Sequence, residues 1–185
     1  MGMLISGLIL WSLVHFIPSA MPNLKQAWLA KIGLKGYTIT FSLLIVLSLC
    51  LMVFGWRASI PELIYTLPLA TKPLALILML MAFILFAAKQ KTRIKRVIRH
   101  PQLVSVLVWS IAHLILNGDS RSIVLFGGML VWSVLQIYFI NRSEGAWLKP
   151  RPTSWRNDIK VIIIGGVIFS VLLILHPYLS GVSIV

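Results

Sequence analysis

Acid is the scarcest chemistry in this chain: Glu62, Asp119, Glu144 and Asp158 are the only carboxylate side chains in 185 residues. Proton or cation transport through a carboxylate relay has almost nothing to run on, and no two of the four stand close enough in the chain to form an acid–base pair. There is one cysteine, Cys50. A lone thiol makes no internal disulfide and supplies no thiolate cluster for zinc or iron–sulfur; placed inside an apolar run, it reads as a small core residue. No Gly-rich phosphate loop occurs, and no Ser/His/Asp set of plausible depth. Charge of either sign is sparse, at 11% of residues against 59% hydrophobic. The mean hydropathy of +0.96 is far above what a soluble domain of this length tolerates.

What the chain has is long apolar runs. Uncharged stretches of spanning length, about 20 residues, occupy roughly 2–20, 37–56, 73–88, 101–117, 122–140 and 161–179. They predict an all-α, polytopic membrane protein in which residues 1–185 form one six-helix transmembrane bundle. Residues 1–19 lack the positive n-region and A-x-A pattern of a secretory signal, so they are expected to stay as the first membrane helix.

The net charge of +13 follows from where the basic residues lie. All but Arg57, Lys72 and Arg121 of the 17 fall in 21–36, 89–100 and 141–160. Short loops rich in Lys and Arg stay cytoplasmic, which places these three loops inside and both termini outside. The same placement accounts for KQKTRIKRVIRH at 89–100 as a juxtamembrane signal that contacts anionic lipid, with no nucleic acid required.

Polar groups within spans are costly and mark functional candidates. WSLVH at 11–15 and WSIAH at 109–113 repeat one pattern inside two apolar runs. At 100° per residue, Gln102, Ser105, Trp109 and His113 share a face about 80° wide, and Leu4, Leu8, Trp11 and His15 do the same. Each copy sets an indole one turn before an imidazole, which suits ligation of a planar cofactor; it equally suits a histidine hydrogen-bonded to a neighbouring helix. A third copy, WSVLQ at 132–136, ends in Gln136. Arg99-His100-Pro101 puts His100 at a helix N-cap with proline at N1, at the cytoplasmic mouth. His176 precedes Pro177 and reads as an interfacial cap residue. Asn117-Gly118-Asp119 makes an outer turn, and Gly127-Gly128 and Gly165-Gly166 permit close helix packing.

RHPQLVSVLVWSIAHLILNGD at 99–119, LFGG at 125–128, LWSLVHFIPS at 10–19, GYTITFSLL at 36–44 and GWR at 55–57 together resemble the NnrU family of bacterial inner-membrane proteins over roughly residues 3–140. That resemblance implies a multi-pass inner-membrane protein associated with nitric oxide and denitrification metabolism. The family is similar to the plastid zeta-carotene isomerase, which holds haem b between histidines. The likeness therefore implies a haem b site with His15 and His113 on the iron, Trp11 and Trp109 lining it, and Arg99 and His100 at its mouth. Ser110 stands where the isomerase has a cysteine, so a swap between thiolate and imidazole does not carry over. A hydrophobic small-molecule substrate is implied in the same way.

The first and fourth spans run antiparallel, so two ligands for one iron must reach similar depth. If the first span ends at Pro18, His15 and His113 stand about 14 Å apart along the bundle; if it continues to Leu24, about 9 Å. His15 with His100 fits the shorter version. Two other functions compete with a redox or isomerase-like haem protein. RHP after a basic loop also resembles isoprenylcysteine methyltransferases that use S-adenosylmethionine, although the acidic and polar residues that would hold the adenosyl ligand are missing downstream. A six-span bundle with small loops also suffices for a non-enzymatic assembly factor of a respiratory complex. The charge pattern generates a direct test: reporters fused at the C-terminus and within 89–99 should report opposite sides of the membrane, the loop being cytoplasmic. Both on one side contradicts the alternation.

Overall fold

The computed structural model describes residues 1–88, 92–151 and 153–181, with the backbone alone at Leu179; Lys89 and Lys91 lie outside the described residues. The fold is all-helical, and among the described residues the only β pairing is an isolated bridge between Leu63 and Asp119. The long helices among the described residues are α1 (Gly2–Ala20), α2 (Pro22–Ala58), α3 (Lys72–Ala87), α4 (Pro101–Leu116), α5 (Ser120–Glu144) and α6 (Trp155–Ser180), with single short turns at Leu69–Thr71 and Ile94–Val97. All but α4 are long and apolar enough to cross a membrane. At 16 residues, α4 is roughly 24 Å long, shorter than a hydrocarbon core of about 30 Å. It packs between α3 and α5.

The outer faces of these helices are apolar. Leu43, Val46 and Phe54 on α2 and Ile163, Val167 and Ile174 on α6 are exposed, whereas Ser48, Ser110, Ser122 and Ser133 are fully buried. Small polar side chains inside and aliphatic ones outside is the arrangement of a bundle solvated by lipid. Cys50, read from sequence as core, lies on the exposed side of α2, because an apolar run does not say which of its residues faces lipid.

Each helix begins and ends for a local reason. Met21 (φ −129°, ψ 63°) breaks the chain between α1 and Pro22, which sits at the N-terminus of α2. The sequence reading treats 21–36 as a loop, but residues from Pro22 onward are helical, with one interruption at Gly33 (φ 70°, ψ 174°). The lysines there interrupt hydropathy and not helix geometry, and only glycine adopts that φ cheaply. Pro101 occupies N1 of α4 behind His100. Asp119 caps α5, its carboxylate accepting from Ser122 N at 3.1 Å. Ser154 caps α6, which starts six residues before the expected 161, by accepting from Arg156 N.

In cross-section the packing order is α2, α1, α5, α4, α3, α6. The α1–α2 hairpin closes on glycines. A Cβ at Gly7 would stand 2.8 Å from Met52 Cγ and 2.9 Å from Ser48 O, and one at Gly55 would overlap the backbone of Leu4. Of the two glycine pairs noted in the sequence, Gly128 meets Leu8 and Gly165 meets the backbone of Ile84, while Gly127 and Gly166 face open space.

The two ends of the bundle differ. At the basic end, Arg99 donates to Glu144 (3.1 Å) and to Gly145 O (2.8 Å), His100 Nε2 meets Asn141 Oδ1 at 2.9 Å, and Arg93 N donates to Asp158 (2.8 Å). These bonds bring the start of α4 to the end of α5, and the start of α6 to the segment that precedes α4. At the far end the 59–71 segment crosses the α4–α5 turn: Ile64 N donates to Gly118 O at 2.8 Å, Ser120 N to Glu62 O at 2.8 Å, and the Tyr65 hydroxyl to Leu114 O.

The tight hairpin predicts that Gly55→Ala lowers the melting temperature of the purified protein, since overpacking costs about 1–3 kcal/mol. Gly127→Ala, at an open helical position, should leave the melting temperature unchanged or raise it slightly. Equal behaviour of the two variants contradicts the packing.

Candidate functional site

An imidazole inside an apolar helix bundle needs a hydrogen-bond partner, and both WSxxH copies find it one turn back. His15 Nδ1 lies 2.9 Å from Trp11 O, and His113 Nδ1 lies 2.9 Å from Trp109 O. A carbonyl oxygen only accepts, so Nδ1 carries the proton in both rings and Nε2 carries the lone pair. Each indole also packs on its histidine, with ring centroids 4.2 Å apart for Trp11–His15 and 4.9 Å for Trp109–His113. The pentapeptide thus builds a histidine with its proton committed to its own helix and a basic nitrogen presented sideways. In the third copy, Gln136 reaches across to α1, donating to His15 O and Ser19 Oγ.

The two histidines do not meet. His113 faces a cavity of about 440 Å³ to which all six helices contribute. Its polar rim, at the far end, consists of Arg57, His113, Asn117, His176 and Ser180. Its deeper wall is apolar, with Met52, Phe83, Met129 and Phe169 among its residues. His15 is not on that wall. It sits in an aromatic knot of Trp11, Phe41 and Trp132, the last two edge-on at 5.8 and 5.2 Å. Trp132, next to His15, and Phe126, next to His113, are six residues apart on α5, roughly 9 Å along the bundle. Trp11 separates the two places, packing on His15 and lining the cavity.

Phe126 is the residue that shapes the His113 environment. It lies in a π-helical turn, Ile123–Gly127, a departure from α geometry that often accompanies functional sites. There its ring stacks on His113 (4.3 Å, 21° between planes) and meets Trp109 at 4.9 Å and Trp56 at 6.0 Å edge-on. With Phe126 and Trp109 on it, the His113 ring is held in orientation.

The remaining expected site residues are elsewhere. Arg99 and His100 tie the basic end together and do not line this cavity. Ser110 is fully buried, its hydroxyl among the described buried polar atoms without a hydrogen-bond partner, and it too is off the cavity wall.

His176, read from sequence as an interfacial cap, is the residue the structure relocates. It lines the cavity, with its ring 6.5 Å from that of His113 and the planes at 29°. A signal for this was present: Phe169, Leu172, Leu173, His176 and Ser180 recur at i, i+3, i+4, i+7 and i+11, one helical face, and all five line the cavity. Arg57 and Asn117 were legible only as loop-flanking residues, because their convergence depends on how the helices pack.

No curated protein and no solved structure matches this chain. The protein-family model described as NnrU protein matches residues 3–184, and so takes in α6 and His176 as well as the motifs at 3–140. With nearly the whole chain covered by that match, this multi-pass membrane protein belongs to the NnrU family.

Proposed function

We propose that this NnrU-family protein is a bacterial inner-membrane haem b protein with a redox or isomerase-like role, working on a hydrophobic small molecule in the far-end cavity. Its basic end lies at the cytoplasmic face against anionic lipid, and both termini lie outside. The link to nitric oxide and denitrification metabolism is what the family resemblance implies. The observation that carries the proposal is His113: an oriented imidazole whose basic Nε2 belongs to a ring on the wall of an otherwise largely apolar cavity.

The residues present fit a haem. His113 has the backbone-bonded Nδ1–H that accompanies metal-ligating histidines and raises their basicity. Trp56, Trp109 and Phe126 offer flat apolar surfaces around it. Arg57 supplies a cation at the rim for carboxylate groups. When bound, haem b brings one-electron chemistry whose potential depends on axial ligand and burial. The chain's own part is to hold the ligand nitrogen in place, keep the site dry with its Met and Phe wall, and admit an apolar molecule beside it.

Protein expressed with haem supplied and purified in detergent should carry a Soret band that stays with the protein through size exclusion. A colourless wild-type preparation contradicts the proposal and leaves the methyltransferase and assembly-factor readings ahead of it.

A further inference from the structure

We infer that the far-end cavity opens sideways into the bilayer between α2 and α6, and that the molecule it takes is a membrane-dissolved amphiphile with one apolar chain and an anionic head. The inference rests on the reading of this cavity as the working site and names the class of its substrate; it does not depend on which cofactor the cavity holds.

The opening follows from the order of the helices. The row α2, α1, α5, α4, α3, α6 is not closed into a ring: among the described residues α2 packs extensively on α1 alone, and α6 on α3 alone. Both ends of the row nevertheless line the cavity, α2 through Leu49, Met52, Val53 and Trp56 and α6 through Phe169, Leu172 and Leu173. The row therefore curls around the cavity and leaves the seam between its two ends as a side entrance. Leu49 and Val53 line the cavity and are exposed at the same time, as residues on the lip of an opening are. Lipid chains are as apolar as these side chains, so a hydrocarbon tail crosses the seam with little change of surroundings. The far end is different. There Ile64 N and Tyr65 N both donate to Gly118 O, and the segment after α2 covers the α4–α5 side of the bundle.

The head chemistry comes from the three basic residues that lie away from the basic end, Arg57, Lys72 and Arg121. All three border this cavity. Arg57 is on its rim, exposed, and forms no ion pair with a described residue. Lys72 begins α3 one turn before Leu76; with Leu76, Met79 and Phe83 it recurs at i, i+4, i+7 and i+11 on one helical face, and those three residues line the cavity. Arg121 lies over the ring of Trp56, 4.5 Å from its centroid, and its Nε is 3.5 Å from Asp119. Asp119 also accepts from Ser122 N and Ser122 Oγ, so that carboxylate is already engaged.

An apolar wall below a cationic rim is complementary to an apolar chain that ends in a carboxylate or phosphate. Depth agrees. Arg57 is in the last turn of α2 and Lys72 at the start of α3, at the boundary where a lipid head sits, while Met52 and Phe83 lie deeper along the same helices. A molecule in the far-end leaflet thus enters without turning over. The volume of about 440 Å³ is that of a site for one small molecule, about 300–1,000 Å³, which suits one chain and not a two-chain phospholipid.

The test is photolabelling of the full-length protein in phosphatidylcholine vesicles. The probes are stearic acid with a mid-chain diazirine, the methyl ester of the same acid, and a short-chain, water-soluble diazirine carboxylate, with labelled residues mapped by mass spectrometry. The long-chain acid should label cavity residues such as Met52, Met79 and Met129 in a saturable way. Unlabelled stearate should compete and added phosphatidylglycerol should not, while the ester marks only outer faces such as Val167 and Ile174. Arg57→Gln should lower cavity labelling by about tenfold, the worth of one charge-assisted hydrogen bond, and Lys72→Gln should lower it as well. Labelling of Val167 and Ile174 should persist in both variants, which shows that they are folded and inserted. Equal cavity labelling by acid and ester, competition by phosphatidylglycerol, or labelling unchanged in both variants overturns the anionic single-chain ligand. A cavity labelled by the short-chain acid as strongly as by the long-chain one, or by neither, overturns the sideways opening. Visible spectra of the same samples separate the two readings: a Soret band with an unlabelled cavity leaves the haem proposal standing without this inference, and a labelled cavity in colourless protein does the reverse.

Discussion

In an apolar solvent a polar side chain must find its partner within the protein, and the nearest partner in a helix is the carbonyl one turn back. This chain uses that bond repeatedly: Ser12 to Leu8 O, Thr40 to Gly36 O, Ser170 to Gly166 O, and both WSxxH histidines to their tryptophans. For a hydroxyl the bond disposes of a polar group. For an imidazole it does more, because it spends the Nδ1 proton and leaves Nε2 basic. The repeated pentapeptide is thus a local device for orienting a histidine without help from another helix. What each copy does next depends on its neighbours.

The neighbours differ through packing. Around His15, Trp11, Phe41 and Trp132 close in, and Gln136 of the third copy bonds its carbonyl. Around His113, the π-helical turn lays Phe126 over one face of the ring, and the cavity opens beside it with His176 across. Glycines make these positions possible. Gly7 and Gly55 draw α1 onto α2, Gly128 admits Leu8, and Gly165 brings α6 against α3. The far-end crossing of Glu62–Tyr65 over Gly118 then ties the α2–α3 segment to the α4–α5 turn near the rim.

Much of the architecture was legible in the sequence because hydropathy and charge act over whole segments. The bounds of α1, α3 and α4 fall within a residue of the apolar runs, and the basic segments at 93–100 and 141–158 meet at one end. Pro101 behind His100 marked a helix start correctly. Features that depend on a single side chain's direction were not legible. Lysines concealed the helical start of α2, an apolar run placed the exposed Cys50 in the core, and a proline neighbour made His176 look like a cap. The expected meeting of His15 and His113 came from the sequence likeness of their surroundings. In the structure the two stand roughly 9 Å apart along the bundle, with Trp11 packed between them.

The central claim is the proposal that haem b is held in the far-end cavity, against the oriented His113 and with Arg57 at the rim. An experimental density map of the haem-loaded protein in a lipid nanodisc tests it most directly. The account predicts flat density in that cavity, against His113 and with its edge toward Arg57. Flat density away from His113, or lying at the basic end beside His100, would contradict it.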